Sequence, residues 1–285
     1  MYIKAKVKSF IVIAIIFSLI MMFAVSKQSV AVETISEAKG EISLPIIMYH
    51  SFLKDEKMQG DYTVSPELFE ADLKYITANG YTTVTVNDLI AYVYEGKDLP
   101  DKCIMLTFDD GYYNNYYYAY PLLKKYNCKA VISPIASMTE KFTYSGEVSI
   151  SYGNFSVSEM QEMINSGYIE IQNHSYDMHT LTPRKGVEQK KGESFETYKN
   201  VITEDITKAQ TFIKEITGET PKCFVYPFGA ESKSTLSIIK ELGFICTFTC
   251  TEKLNTITKD PESLYELGRF RRDRKETMEQ LLKRV

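Results

Sequence analysis

The chain has 285 residues, 44% hydrophobic and 25% charged, the balance of a folded globular protein with room for one large domain or two modest ones. That excludes a disordered tail, a collagen-like repeat and a multi-span membrane protein. The net charge of -4, with no basic block, argues against nucleic acid as a partner.

Lys4, Lys6 and Lys8 precede an apolar run over residues 10–25, which reads as a secretion signal. Residues 29–31 (Ser-Val-Ala) offer a small-x-small cleavage site, so the segment 1–31 is expected to be a signal peptide or, uncleaved, a membrane anchor through residues 10–25. Residues 32–43 then form a linker and 44–285 the working domain, secreted or held at the cell surface. Five Cys, with no C-x-x-C pair, sit in or beside apolar strand-like runs and read as buried thiols; whether Cys246 and Cys250 pair stays open.

From residue 44 short apolar runs alternate with amphipathic stretches. Residues 44–49 form a strand candidate. Ser65-Pro66-Glu67 opens a helix and Asn79-Gly80 stops it. A strand follows over 82–86, then a helix capped by Asn87. Residues 103–108 form a strand, followed by a Tyr-rich helix that ends near Tyr126. Further strands are expected over 130–135, 169–172, 223–226, 245–249 and, as the last, 265–267. Helices are expected from Ser156 or Ser158 to Gly167, over 196–217, over 234–242 and over 277–283. Seven or eight strands alternating with helices predict an α/β fold with a parallel sheet, barrel or open. The polar stretch 180–194 reads as a long surface loop, a kind of segment that is often functional.

The chemistry-bearing residues gather at strand ends. Asp109 and Asp110, followed by Gly111, close the strand over 103–108; alternating side chains let one hold a cation while the other faces a reacting group, although Asp-Asp-Gly also suits a plain turn. His174 and His179 lie in NHSYDMH, where a bend is needed to bring both rings to one point. With Asp110 they make a two-His, one-carboxylate set suited to a catalytic metal. Tyr226-Pro227-Phe228-Gly229 can present backbone N–H groups. Of the three His the remaining one, His50, ends a strand, and Arg269 follows the short last one. In parallel barrels that rim is where active sites are built. The Tyr cluster from Tyr112 to Tyr120 suits either helix packing or sugar stacking, with Tyr112 and Tyr113 nearest the carboxylates.

TFDDG, HSYDMH and YPFG, in this order, resemble the polysaccharide deacetylases of carbohydrate esterase family 4, the NodB-homology domain, over about residues 44–285. The resemblance implies an irregular (β/α)7 barrel and a divalent metal, zinc foremost, with cobalt, nickel or manganese as alternatives. It implies a glycan substrate from which N-acetyl, and sometimes O-acetyl, groups are hydrolysed. By that likeness Asp109 matches the catalytic base, Asp110, His174 and His179 the metal set, and the Phe228 N–H the oxyanion support. The five-residue His spacing is similar to the poly-N-acetylglucosamine deacetylases; the commoner spacing would fall on Met178.

Departures are also plain. The family's Arg before the Pro-containing turn would fall at Val225, and its Trp and C-terminal His are missing. Arg269 is expected to orient Asp109 in place of that Arg, and His50 to act as general acid. The chain thus reads as a monomeric, metal-dependent hydrolase acting on an N-acetylglucosamine-containing glycan. The rival readings are a non-catalytic wall-binding protein of the same fold and an acetyl-xylan esterase.

Overall fold

The structure is a computed structural model describing residues 40–285. The expected targeting segment 1–31 lies outside the described residues. Among the described residues, Ile42–Val285 is one compact unit.

Strand β1 (Ile42–Leu44) is separated by Pro45 from β2 (Ile46–Tyr49), so the single strand expected over 44–49 is two. Proline has no N–H to continue a ladder. Short β3 (Ser51–Phe52) and β4 (Thr63–Val64) lead to α1 (Pro66–Ala78), which Ser65 caps by accepting the Leu68 N–H. After β5 (Thr82–Thr83) comes α2 (Val86–Glu95). Its cap is Thr85 rather than Asn87, because Asp88 accepts the Thr85 N–H at 2.8 Å and closes a capping box. The longest strand, β6 (Cys103–Asp110), is followed by a π-helical turn (Asn115–Ala119) and α3 (Tyr120–Lys125). Then come β7 (Ala130–Pro134), α4 (Ala136–Ser145), α5 (Val157–Asn165), β8 (Ile169–Ile171) and α6 (Phe195–Thr217). The chain finishes with β9 (Cys223–Val225), α7 (Thr235–Glu241), β10 (Cys246–Phe248), β11 (Asn255–Ile257), β12 (Phe270–Arg271) and α8 (Met278–Lys283).

Strands β12, β2, β6, β7 and β8 pair in that order, all parallel. Strands β9 and β10 pair parallel with each other. Two single parallel bridges join these sets: Asn173 to Phe224, and Phe248 to Leu267 in the segment that runs into β12. Seven strand positions therefore close into a ring, and the two one-bridge seams make it an irregular (β/α)7 barrel. β1 lies outside the ring, antiparallel to β11.

Alternation along the strands divides the core. Ile47, Tyr49, Ile104, Leu106, Phe108 and Ile132 pack with α1, α3 and α5. Ile46, Met105, Val131, Val225 and Phe248, from β2, β6, β7, β9 and β10, join Leu267 of the segment before β12 to fill the ring's interior. Cys103, Cys223 and Cys246 belong to that interior set, and all five thiols, Cys246 and Cys250 included, are free. Such small apolar side chains pack as minor hydrophobes in the interior.

Candidate active site

Period-two alternation decides where β6 sends its polar residues. Cys103 and Met105 face the ring interior while Ile104, Leu106 and Phe108 face the helices, so Thr107 and Asp109 also point inward. Asp109 is only 2% exposed, and an unpaired carboxylate there would cost several kcal/mol. Arg269, fully buried, supplies the pairing: its two terminal nitrogens donate to Oδ1 at 2.7 Å and Oδ2 at 2.8 Å, and its Nε donates to the Thr249 carbonyl at 3.0 Å. Burial by itself raises the Asp109 pKa, but Arg269, with His174 and His50 nearby, holds it well below the usual carboxylate range.

Arg269 does not follow the last strand, as the sequence suggested. Leu267 makes a single bridge to β10, Gly268 is held through both its N–H and its C=O by the Asn255 side chain, and the strand that pairs with β2 begins at Phe270. Asp109 and Asp110 are likewise the last two residues of β6 rather than residues beyond it.

Asp110 leaves the alternation because its φ is 69°. Its carbonyl accepts from the Asn154 side chain at 2.7 Å, and Gly111 follows with φ 74°. A Cβ on Gly111 would lie 2.7 Å from the Pro134 Cβ, so this turn admits only glycine. The turn brings Asp110 Oδ1 to 3.5 Å from His174 Nε2 and 3.3 Å from His179 Nε2. The donor atoms of the three residues all lie within 4.8 Å of one another.

The bend expected between the two His is built by the chain's own polar groups. Asn173 Oδ1 accepts the Ser175 N–H at 2.8 Å, Ser175 takes φ 71°, and Ser175 Oγ accepts the Met178 N–H at 3.1 Å. Asp205 of α6 accepts the N–H groups of Tyr176 and Asp177 at 2.8 and 2.9 Å. Met178, at the alternative spacing, packs instead with Tyr198, Ile202 and Ile206. The loop 180–194 is clasped by Arg184, which donates to both carboxylate oxygens of Glu193 at 2.9 and 2.6 Å. Gly186 sits so close to the Pro227 carbonyl that a Cβ would approach it to 2.6 Å, so the loop rests on the 226–229 turn.

The donor set suits a divalent cation. His174 Nδ1 lies 2.8 Å from the Val225 carbonyl, which can only accept; the proton is therefore on Nδ1, and the Nε2 lone pair faces a carboxylate oxygen. That Asp110 Oδ1 is buried with no hydrogen-bond partner among the described residues. Two lone pairs facing each other in a buried site repel unless a proton or a cation lies between them. Burial opposes charge on His174, yet the nearby Asp110 and Asp109 carboxylates raise its pKa overall; His179, desolvated and facing His174, has its pKa lowered. Ligands about 2.1 Å from a tetrahedral centre sit about 3.4 Å apart, close to the two separations found here.

His50 reaches the same point from β2. Its Nε2 is 3.9 Å from Asp109 Oδ2, its Nδ1 is buried without a partner among the described residues, and burial lowers its pKa. Phe228 takes φ 60°, in the left-handed region that bulky residues avoid. Its ring lies against His179 with centroids 4.1 Å apart, a contact the sequence did not suggest. The Gly229 and Ala230 N–H groups are taken by the Tyr226 and Pro227 carbonyls. Val225, where the family motif's Arg would fall, is a fully buried interior residue. A cavity of about 810 Å³ opens over these groups, lined also by Tyr62, Tyr112, Lys185, Cys250, Glu252 and Arg271. Tyr113 packs on Tyr116 and Tyr117, with centroids 5.8 and 6.1 Å away. Sequence reasoning missed Tyr62, Asp205 and the Arg184 clasp; none stands in a motif or a periodic pattern.

Comparison with known proteins gives one answer. A family model described as polysaccharide deacetylase matches residues 96–246. The protein YxkH of Bacillus subtilis (strain 168) is 31% identical over 232 residues, covering 80% of this chain and 71% of that protein. A poly-beta-1,6-N-acetyl-D-glucosamine N-deacetylase of Staphylococcus aureus (strain MRSA252) is 27% identical over 205 residues, covering 72% of this chain and 67% of that one. Among solved structures, the deacetylase PplD of Streptococcus pyogenes superposes with a TM-score of 0.70 at 25% identity, covering 85% of this chain and 97% of that one. IcaB from Ammonifex degensii gives 0.70 at 25% identity, with 85% and 96% covered. With the closed parallel barrel and the carboxylate and imidazole cluster at its rim, the matched sequence and the shared fold place this chain in the polysaccharide deacetylase family.

Proposed function

We propose that this chain removes N-acetyl groups from an N-acetylglucosamine-containing polysaccharide, cleaving the amide C–N bond with a divalent metal held by Asp110, His174 and His179. The observation that carries this reading is the buried, Arg269-locked carboxylate of Asp109 beside a two-imidazole, one-carboxylate donor set in a single cavity. The Staphylococcus aureus relative named for poly-beta-1,6-N-acetyl-D-glucosamine supports that glycan as the first to test.

A zinc ion, or cobalt, nickel or manganese, bound to these ligands supplies Lewis-acid polarisation of an acyl oxygen and acidifies water. The chain's own groups do the rest. Asp109 accepts a proton from the attacking water, and Arg269 fixes both the charge and the plane of that carboxylate. The Phe228 N–H supports the developing oxyanion, an interaction worth about 3–4 kcal/mol per donor in other hydrolases. Amide hydrolysis expels an amine, which leaves readily only when protonated; His50 gives that proton, a role supported by its 3.9 Å approach to Asp109 and by a ring Nδ1 with no partner among the described residues.

Export to the cell surface or the medium belongs to the same proposal. Lys4, Lys6 and Lys8 ahead of the apolar run 10–25 support it, and detection of the protein in membrane and medium fractions tests it. Acetate release from β-1,6-linked N-acetylglucosamine oligomers, with and without a chelator, tests the chemistry.

A further inference from the structure

Two large aromatic side chains stand exposed on the cavity wall, Phe228 at 37% and Tyr62 at 54%. Phe228 belongs to the turn already described. Tyr62 has no part in the hydrolysis, yet it is firmly held. Its carbonyl accepts the Ser51 N–H at 3.1 Å. Its ring meets the His50 ring edge-on, with centroids 4.8 Å apart and planes at 73°. The Arg271 guanidinium lies 5.2 Å from its centroid. Arg271 is fixed in turn: its N–H donates to Glu252 at 3.1 Å, and its guanidinium lies 3.6 Å from Asp61 and 3.8 Å from Asp273. An exposed aromatic braced in this way has little rotamer freedom left to lose when a ligand covers it.

The position of this ring relative to the reacting groups gives it a use. An acetamido group that reaches Asp109 hangs from a sugar ring further out, toward the mouth. His50, 3.9 Å from Asp109, and the more exposed Tyr62 line the same cavity with their rings in edge-to-face contact. A pyranose with equatorial substituents offers an apolar C–H face and a polar rim, which matches an exposed aromatic ring that carries a guanidinium on one side. We infer that Tyr62 is the sugar-stacking wall of the subsite that holds the pyranose ring carrying the reacting acetamido group. This rests on the proposed glycan substrate and deepens it, since it names the residue that recognises the ring rather than the acetyl group.

The test measures binding of a β-1,6-linked N-acetylglucosamine pentamer to the full chain by calorimetry, alongside kcat and KM for acetate release. Tyr62→Ala is expected to weaken pentamer binding about tenfold, equivalent to about 1.4 kcal/mol, and to raise KM more than it lowers kcat. Tyr62→Leu, of similar bulk without a flat face, loses as much. Tyr62→Phe, which keeps the face, stays within about twofold of the parent. Circular dichroism and melting temperature check that each variant is folded. Unchanged pentamer affinity in folded Tyr62→Ala overturns the inference, as does a loss confined to kcat, which would mean that Tyr62 acts only through His50. A Tyr62→Phe loss equal to that of Tyr62→Ala overturns it too, because the hydroxyl and not the ring would then carry the contact. Should the parent bind no pentamer, there is no subsite to wall and the inference falls. If it binds pentamer without releasing acetate, the hydrolytic reading fails while the binding comparison still decides the role of Tyr62.

Discussion

Arg269 and Asp109, 160 positions apart in sequence, are joined by two parallel hydrogen bonds of 2.7 and 2.8 Å at the top of the barrel interior. The pairing supplies the orienting cation that the motif's usual position, Val225, cannot. Replacing Arg269 with Met leaves a buried charge without a partner, which costs about 3–5 kcal/mol. Urea denaturation is expected to show a loss of that size, much of it recovered when Asp109→Leu is added, since two apolar residues leave no orphan charge. Arg269→Lys keeps the charge without the fork and is expected to lose turnover by at least about tenfold while staying folded.

His179 and Met178 provide a direct test of register. Met178 packs with Tyr198 and Ile202, whereas His179 faces Asp110 at 3.3 Å. His179→Ala is expected to lower zinc content sharply with little change in stability. Met178→Ala is expected to keep its zinc and lose about 2–3 kcal/mol of stability from the cavity it opens. Elemental analysis and denaturation of both variants distinguish them.

His50 is expected to matter more for amides than for activated esters. Its Nε2 lies 3.9 Å from Asp109, and its Nδ1 has no partner among the described residues. General acid catalysis contributes roughly 10²–10⁴-fold, so His50→Ala should lower kcat on an N-acetyl substrate by about that factor with metal content unchanged. A smaller loss on 4-nitrophenyl acetate, whose leaving group needs no proton, is the accompanying sign.

Gly111 holds the turn that re-aims Asp110. A methyl group there meets Pro134 at 2.7 Å and must adopt φ 74°. Gly111→Ala is expected to cost more than about 2 kcal/mol from the left-handed backbone and the clash together. It is also expected to weaken zinc affinity by displacing Asp110. Denaturation and a zinc titration on the same preparation measure both.

Much of this site was legible because polar residues in apolar strands are costly and therefore informative. Strand alternation gave Asp109 and Asp110 different tasks, and the TFDDG, HSYDMH and YPFG segments came with strand boundaries correct to within a residue or two. What was not legible depends on tertiary partners. Helix α4 carries no side-chain cap; its first N–H groups, on Ala136 and Ser137, are satisfied by the carbonyls of Ser175 and Tyr176. The last strand was misplaced because Leu267 pairs on one side of the seam and Phe270 on the other, a stagger without any periodic signature. Asp205, which shapes the loop between the two His, is one more polar residue in a long amphipathic helix until the fold brings it beside Tyr176. Tyr62 stands in a short irregular segment whose composition says nothing of the cavity it borders.

The central claim is that the Asp110, His174 and His179 cluster makes Asp109 a working deacetylation site. Acetate release from β-1,6-linked N-acetylglucosamine oligomers measures it most directly, using chelator-treated protein restored with zinc or cobalt beside Asp109→Asn and Asp110→Ala. The account predicts acetate from the metal-restored parent, none after chelation, a metal-loaded but inactive Asp109→Asn, and an Asp110→Ala that neither retains metal nor turns over. Acetate released at the same rate by chelated parent or by Asp109→Asn would contradict it.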